Sequence, residues 1–140
     1  MNATTPPFTR SRVLEPSAGT RRWLALLLGV EGLAALAAAV TSISLAPDAA
    51  ALIPTFGATG QVALLLLAGA GAVMSIMAFS ASAAVVRRHD GAPNGAAGVQ
   101  LTLVAAAVFA GLVNGFNQQI VAGLLVAGIG LALAVLIARR

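Results

Sequence analysis

The stretch that decides the fold runs from Val62 to Val86 and reads VALLLLAGAGAVMSIMAFSASAAVV, ending at Arg87-Arg88. None of its residues is charged. At a rise of about 1.5 Å per residue, a helix of this length exceeds the roughly 30 Å hydrocarbon core of a bilayer. The stretch is therefore predicted to be a membrane-spanning helix.

Three further apolar stretches, at about 23–45, 96–113 and 120–138, lie before and after it. Helices are the only option for such spans, because unpaired backbone groups in lipid cost several kcal/mol each. The stretches also lack the apolar–polar alternation of a membrane barrel. We therefore expect an all-α membrane protein, with a bundle of four transmembrane helices formed by residues 21–140.

The first twenty residues differ from the rest. Residues 1–20 are polar, contain three prolines and show no apolar period, which predicts a disordered cytoplasmic tail. Between the first and second spans, Pro and Gly residues indicate a loop, and a short interfacial turn is expected around 50–53.

Composition agrees with a membrane protein. The chain is 59% hydrophobic and 9% charged, with a mean hydropathy of +0.97, whereas about a quarter of the residues in soluble domains are charged. The absence of cysteine excludes disulfides and thiolate metal sites. Abundant Ala, Gly and Arg without lysine is typical of bacteria with GC-rich genomes.

The arginines predict the orientation. All eight precede the first span, separate the second from the third, or follow the fourth. The positive-inside rule therefore places both termini in the cytoplasm, in the plasma membrane of a bacterium. The net charge of +4 is explained by this topology, so no nucleic-acid partner is expected. The topology-setting residues next to the spans are Arg21, Arg22, Arg87, Arg88, Arg139 and Arg140.

Glu31 is the only ionisable residue within a predicted span, about 12 Å deeper than Trp23. A charged group at that depth costs about 2.5 kcal/mol or more, so Glu31 should face protein or water. Ser75, Ser82 and Gln100 are predicted at similar depth. One interpretation is a proton, cation or polar-ligand site. The other, which we favour because a single carboxyl makes a poor relay, is a hydrogen bond to Gln100 or a serine that fixes helix register.

No catalytic set is evident. The chain has one histidine, His89, and its four acids, Glu15, Glu31, Asp48 and Asp90, are scattered. No glycine-rich phosphate loop is present, and a lone histidine in a charged loop is expected to be solvated. We therefore expect no enzymatic activity, no metal and no cofactor.

Small residues are expected to mediate helix packing, because lipid tails are as apolar as leucine and burial alone cannot bring the helices together. Each span carries one stripe of mostly small residues with helical spacing. The predicted stripes are Glu31, Ala35, Ala38 and Ser42; Gly71, Ser75, Ala78 and Ser82; Gln100, Ala107, Gly111 and Asn114; and Gly123, Ala127, Gly130 and Ala134.

The chain resembles small, uncharacterised four-span membrane proteins of actinobacteria over about residues 21–140. The resemblance is carried by Glu31-Gly32-Leu33 in the first span, Arg87-Arg88 after the second and Gln100 early in the third. The tryptophan that often follows the arginine pair in those proteins is missing here. The resemblance implies a class of membrane protein and no particular activity.

These observations predict a non-catalytic accessory or structural subunit. It would contact the lipid bilayer and act through helix–helix contacts with itself or with a larger membrane complex. Two alternatives remain open: a small oligomeric transporter or channel with Glu31 at its site, and a holin-type pore former, whose size and topology also fit.

Overall fold

The computed structural model describes residues 18–48 and 58–139, and this part of the chain is helical apart from short turns. All four helices are long and apolar enough to cross a membrane, which confirms the predicted all-α class. They are α1 (Ala18–Leu45), followed by a 3-10 turn at Ala46–Asp48, α2 (Ala58–Val86), α3 (Ala92–Asn114) and α4 (Gln118–Ala138).

All four helices begin earlier than predicted, at residues 18, 58, 92 and 118 instead of about 23, 62, 96 and 120. Residues 18–20, assigned to the tail, form the first turn of α1; the rest of the tail and the turn expected at 50–53 lie outside the described residues. The segment Pro93-Asn94-Gly95, expected to be a turn, belongs to the start of α3. Proline is favoured there because its missing N–H has no partner to lose in the first helical turn.

The turn between α2 and α3 is built on a left-handed residue. Arg88 has φ 57°, and its N–H donates to the Val85 carbonyl at 3.3 Å, while the His89 N–H donates to the Ala84 carbonyl at 3.1 Å. These two bonds define a Schellman motif, in which glycine is the usual left-handed residue. An L-residue with a Cβ in this conformation costs roughly 1–2 kcal/mol.

The turn between α3 and α4 is shorter than expected. Gly115, with φ 79°, ends α3, and Asn117 caps α4 by accepting the Ile120 N–H at 2.9 Å on its side-chain oxygen. Gln118 and Gln119, predicted to lie in the turn, form the start of α4 instead.

The helices pair as two hairpins, α1 with α2 and α3 with α4, and contacts between the hairpins are fewer. The α1–α2 seam is especially close at Gly71, where an added Cβ would lie 2.9 Å from the Ala35 carbonyl oxygen and 3.2 Å from the Ala39 Cβ. Nearer the start of α1 and the end of α2, the Ser82 hydroxyl donates to the Ala25 carbonyl at 2.8 Å.

Buried and partly buried residues along this seam alternate in steps of three and four, the 3.5-residue period of left-handed helix pairs. The seam consists of Leu28, Gly32, Ala35, Ala39 and Ser42 on α1 with Ala46 in the following 3-10 turn, and Ala68, Gly71, Ser75, Ala78, Ser82 and Val85 on α2.

The predicted small-residue stripes are correct in most positions and wrong in two. Ala38 is exposed, because the seam on α1 passes through Ala39. On α4, Gly123 is exposed with open space around it, whereas Ala127, Gly130 and Ala134 are buried. The side chain of Asn114 lies outside the described residues.

The core shared by all four helices occupies one half of the bundle. We call this half the arginine end, because the start of α1, the α2–α3 turn and the end of α4 meet there. Residues buried toward the opposite end, such as Ala39, Ala68 and Ala127, do not belong to this shared core. The shared core consists of Leu24, Ala25, Leu28, Ala78, Ala81, Val85, Ala92, Ala96, Val99, Ala134 and Ile137.

Candidate functional site

The site centres on Gln100, one of the largest fully buried side chains in the described residues. It follows Val99 of the shared core on α3. Its Nε2 donates a hydrogen bond to Oε2 of Glu31 on α1 at 2.7 Å. The bond connects the two hairpins across the bundle, next to the shared core residues Leu28 and Val99.

Gly130 of α4 makes room for this pair. A Cβ at position 130 would lie 2.5 Å from the side-chain carbonyl carbon of Gln100 and 2.6 Å from its Nε2. Since Gln100 has no exposed surface, its amide has no solvent-facing space into which to retreat. Gly130 was predicted as a packing residue, but its relation to Gln100 depends on helix rotation, for which the sequence carries no signal.

One polar atom at the site has no partner. The Oε1 of Gln100 is buried and accepts no hydrogen bond within the described part of the chain. A buried acceptor left unpaired costs about 1–3 kcal/mol. The site therefore offers an unused acceptor on the same amide that binds a partly buried carboxyl, an arrangement able to receive a proton, a cation or a donor group of a ligand.

The two serines considered as partners of Glu31 lie elsewhere in the bundle. Ser82 bonds to the backbone of α1 at Ala25, and Ser75 is buried in the α1–α2 seam. Both serve hairpin packing, because they face α1 from the seam of α2. Of the three predicted partners, Gln100 is the one whose hydrogen bond to Glu31 the structure records.

The arginines of the described residues form a separate group at the arginine end. Arg22, Arg87, Arg88 and Arg139 are exposed, and Arg21 is partly buried. Arg140 lies outside the described residues. His89 is exposed beside Arg88, and residues 18–48 and 58–139 contain no group of three or more His, Cys, Asp or Glu side chains placed to hold a metal.

Comparisons with known proteins find no match to a family profile, to a curated sequence or to a solved structure. The resemblance to actinobacterial four-span proteins therefore stays a prediction.

Proposed function

We propose that this chain is a non-catalytic, multi-pass protein of the bacterial plasma membrane. In this proposal it serves as an accessory or structural subunit, through lateral helix contacts with itself or with a larger membrane complex. Both termini lie in the cytoplasm, because the arginines at one end of the bundle obey the positive-inside rule in that orientation alone.

The observation that carries the proposal is that the polar pair bonds inside the bundle, whereas the outer surface of the bundle is apolar. Glu31 and Gln100 bond to each other across the bundle, while large apolar side chains point outward on all four helices, as Val30, Leu66, Phe109 and Leu125 illustrate. A surface of this kind has lipid or other apolar helices as its natural neighbours.

The outer face of α4 suits a close helix contact. Gly128 and Ala132 are exposed one turn apart, and a Cβ at Gly128 would meet nothing within 4 Å. Leu125 and Leu136, also exposed, flank this small patch. Small residues spaced by four allow two helix backbones to approach closely in a membrane.

The test is extraction from the native membrane into nanodiscs, followed by mass spectrometry of what travels with the chain. We expect stoichiometric recovery with other membrane subunits or as a homo-oligomer. Gly128→Leu should reduce that recovery, whereas Gly123→Leu, which also alters an exposed glycine of α4, should preserve it. Recovery of the wild type as a lone monomer would contradict the proposal.

The unpartnered Oε1 of Gln100 favours a second candidate, a small oligomeric transporter or channel. Oε1 and the Glu31 carboxyl would together bind a proton, cation or polar ligand, and an oligomer would complete a pathway that four helices are too few to enclose. The flux of that proton, cation or ligand into proteoliposomes would then fall strongly in the Glu31→Gln variant. Equal flux in this variant and the wild type would eliminate the candidate.

A further inference from the structure

A polar pocket of about 260 Å³ opens at the arginine end. Arg21 of α1 lines it together with Arg88, His89 and Asn94, all of which carry hydrogen-bond donors, and Asp90 is the acid in its wall. Guanidinium groups match the geometry of phosphate oxygens. A donor-rich, cationic wall of this kind suits a phosphate group.

The start of α3 adds to the positive potential. Ala92, Pro93 and Asn94 line the same pocket. Pro93 has no N–H and the Ala92 N–H donates to the His89 carbonyl at 3.0 Å, so this helix end contributes through its dipole. A helix of this length carries about half a positive charge at its N-terminus. Arginines from two elements and a helix N-terminus therefore converge on one cavity.

An apolar groove of about 600 Å³ runs between α1 and α4. On α1 it extends from Gly19 to Val30, and on α4 its wall includes Ile129 and Leu133. At about 1.5 Å per residue the α1 wall is about 16 Å long, close to half of the roughly 30 Å hydrocarbon core. The groove therefore matches the depth of one membrane leaflet and the shape of one acyl chain.

The pocket and the groove are lined by different residues, which are neighbours along α1 and α4. Thr20 in the groove precedes Arg21 in the pocket, and Leu133 in the groove lies one helical turn before Ile137 in the pocket. We propose that they form one site for an anionic phospholipid, with its phosphate between Arg21 and Arg88 and one acyl chain between α1 and α4. A soluble phosphate compound would leave the apolar groove unused.

Arg88 supports this assignment through its backbone. It holds the left-handed position of the α2–α3 turn, where glycine would avoid the cost of a Cβ. The neighbouring Arg87 lines neither the pocket nor the groove. The site rests on the membrane placement of the bundle, and it does not depend on any protein partner.

Trp23, the single tryptophan of the chain, lines the groove and is 69% exposed, so its emission reports on lipid in the groove and beside it. The purified full-length chain is reconstituted in phosphatidylcholine vesicles containing a low fraction of phosphatidylglycerol, with one or the other lipid brominated in its acyl chains. Bromine quenches tryptophan emission on contact. We expect brominated phosphatidylglycerol to be enriched at Trp23 at least about five-fold over phosphatidylcholine, given the contribution of basic residues near anionic headgroups.

Two double variants with the same loss of charge show which arginines cause the preference for phosphatidylglycerol. Arg21→Gln with Arg88→Gln should abolish the preference for phosphatidylglycerol, while Arg22→Gln with Arg87→Gln should retain most of it. Equal losses in both, or no preference in the wild type, would overturn the site.

Glycerol phosphate, added at matched ionic strength, separates a lipid site from a soluble-phosphate site. It should leave the quenching unchanged because it has no acyl chain, and its displacement of the lipid would overturn the proposal.

If the first double variant does not fold, Arg88→Gly decides in its place, since it relieves the backbone of the turn. Loss of the preference in Arg88→Gly supports the site, and an unchanged preference overturns it.

Discussion

At the scale of single residues, two polar side chains determine how the hairpins meet. Glu31 and Gln100 would each be costly in an apolar span, and their hydrogen bond satisfies part of both. Gly130 provides the space in which the amide of Gln100 lies. The pair therefore specifies one relative position of the hairpins, since a shift of either helix would leave both groups unpaired.

The energetic coupling of this pair is measurable. Glu31→Leu and Gln100→Leu should each lower the free energy of unfolding by about 1–2 kcal/mol, because each leaves a buried polar partner unpaired. The double variant should cost less than the sum, by about 0.6–1.7 kcal/mol. Detergent-induced unfolding, followed by circular dichroism, gives the free energy of unfolding of the wild type, the two single variants and the double variant. Additive effects would show that the bond contributes nothing to stability.

The backbone at Arg88 makes a second prediction at this scale. Arg88→Gly should raise the free energy of unfolding by about 1 kcal/mol, since glycine adopts a positive φ without a Cβ clash. Arg87→Gly removes the same charge from a turn residue whose φ is not positive, and it should be neutral or destabilising. Equal effects of the two substitutions in the same unfolding measurement would contradict the left-handed assignment.

At the scale of helices, the α1–α2 seam shows how small residues replace burial as the cause of association. Its three-and-four spacing keeps Ala, Gly and Ser side chains facing one another along the length of both helices. The close approach at Gly71 leaves no room for a Cβ between this residue and the backbone of α1 at Ala35. α1 and α2 are thereby joined along their seam, and the shared core unites the two hairpins at the arginine end.

Gly71→Ala should separate this seam. The new Cβ would lie 2.9 Å from a backbone oxygen, which cannot rotate away, so we expect a loss of about 1–3 kcal/mol in the free energy of unfolding. Gly69→Ala is the matched control, since nothing lies within 4 Å of a Cβ there. It should be neutral or gain up to about 1 kcal/mol from helix propensity. Equal stability of the two variants would show that the approach at Gly71 is not close.

At the scale of the whole molecule, the positive charges lie at the same end of the bundle as the shared core. The arginines of the described residues and the shared four-helix core occupy the same half of the bundle. In the proposed orientation, that half faces the cytoplasm, where anionic lipid is also attracted to basic residues. The shared core does not extend into the opposite half of the described bundle, so we expect relative movement of the hairpins to be easiest there.

The orientation can be tested directly because the chain has no cysteine. Single cysteines at Asp48 and Phe116 probe the opposite end, and those at His89 and Arg139 probe the arginine end; all four positions are exposed. A membrane-impermeant maleimide added to intact cells should label the first two and spare the second two until the membrane is permeabilised. The reverse pattern would invert the topology.

The sequence by itself determined the class of the protein and the residues of its polar pair. Apolar length and backbone hydrogen bonding permit only helical spans, and this reasoning holds without knowledge of any contact. Glu31 and Gln100 were identifiable for the same reason, since polar groups in apolar stretches need partners. Helix starts were less accurate, because proline and asparagine are compatible with both a turn and the first turn of a helix.

Only the tertiary structure decided which faces meet. Alanine and glycine occur on every side of these helices, so several stripes fit equally well, and the packing of α1 through Ala39 rather than Ala38 depends on its fit against α2. Gly130 acquires its role only when α4 is rotated toward Gln100. Arg21 lies near Arg88 because α1 pairs with α2, but it lines a pocket with Asn94 only when the two hairpins join. The physical reason is that small residues permit close approach on any face, while mutual shape and one hydrogen bond between distant residues select among the possibilities.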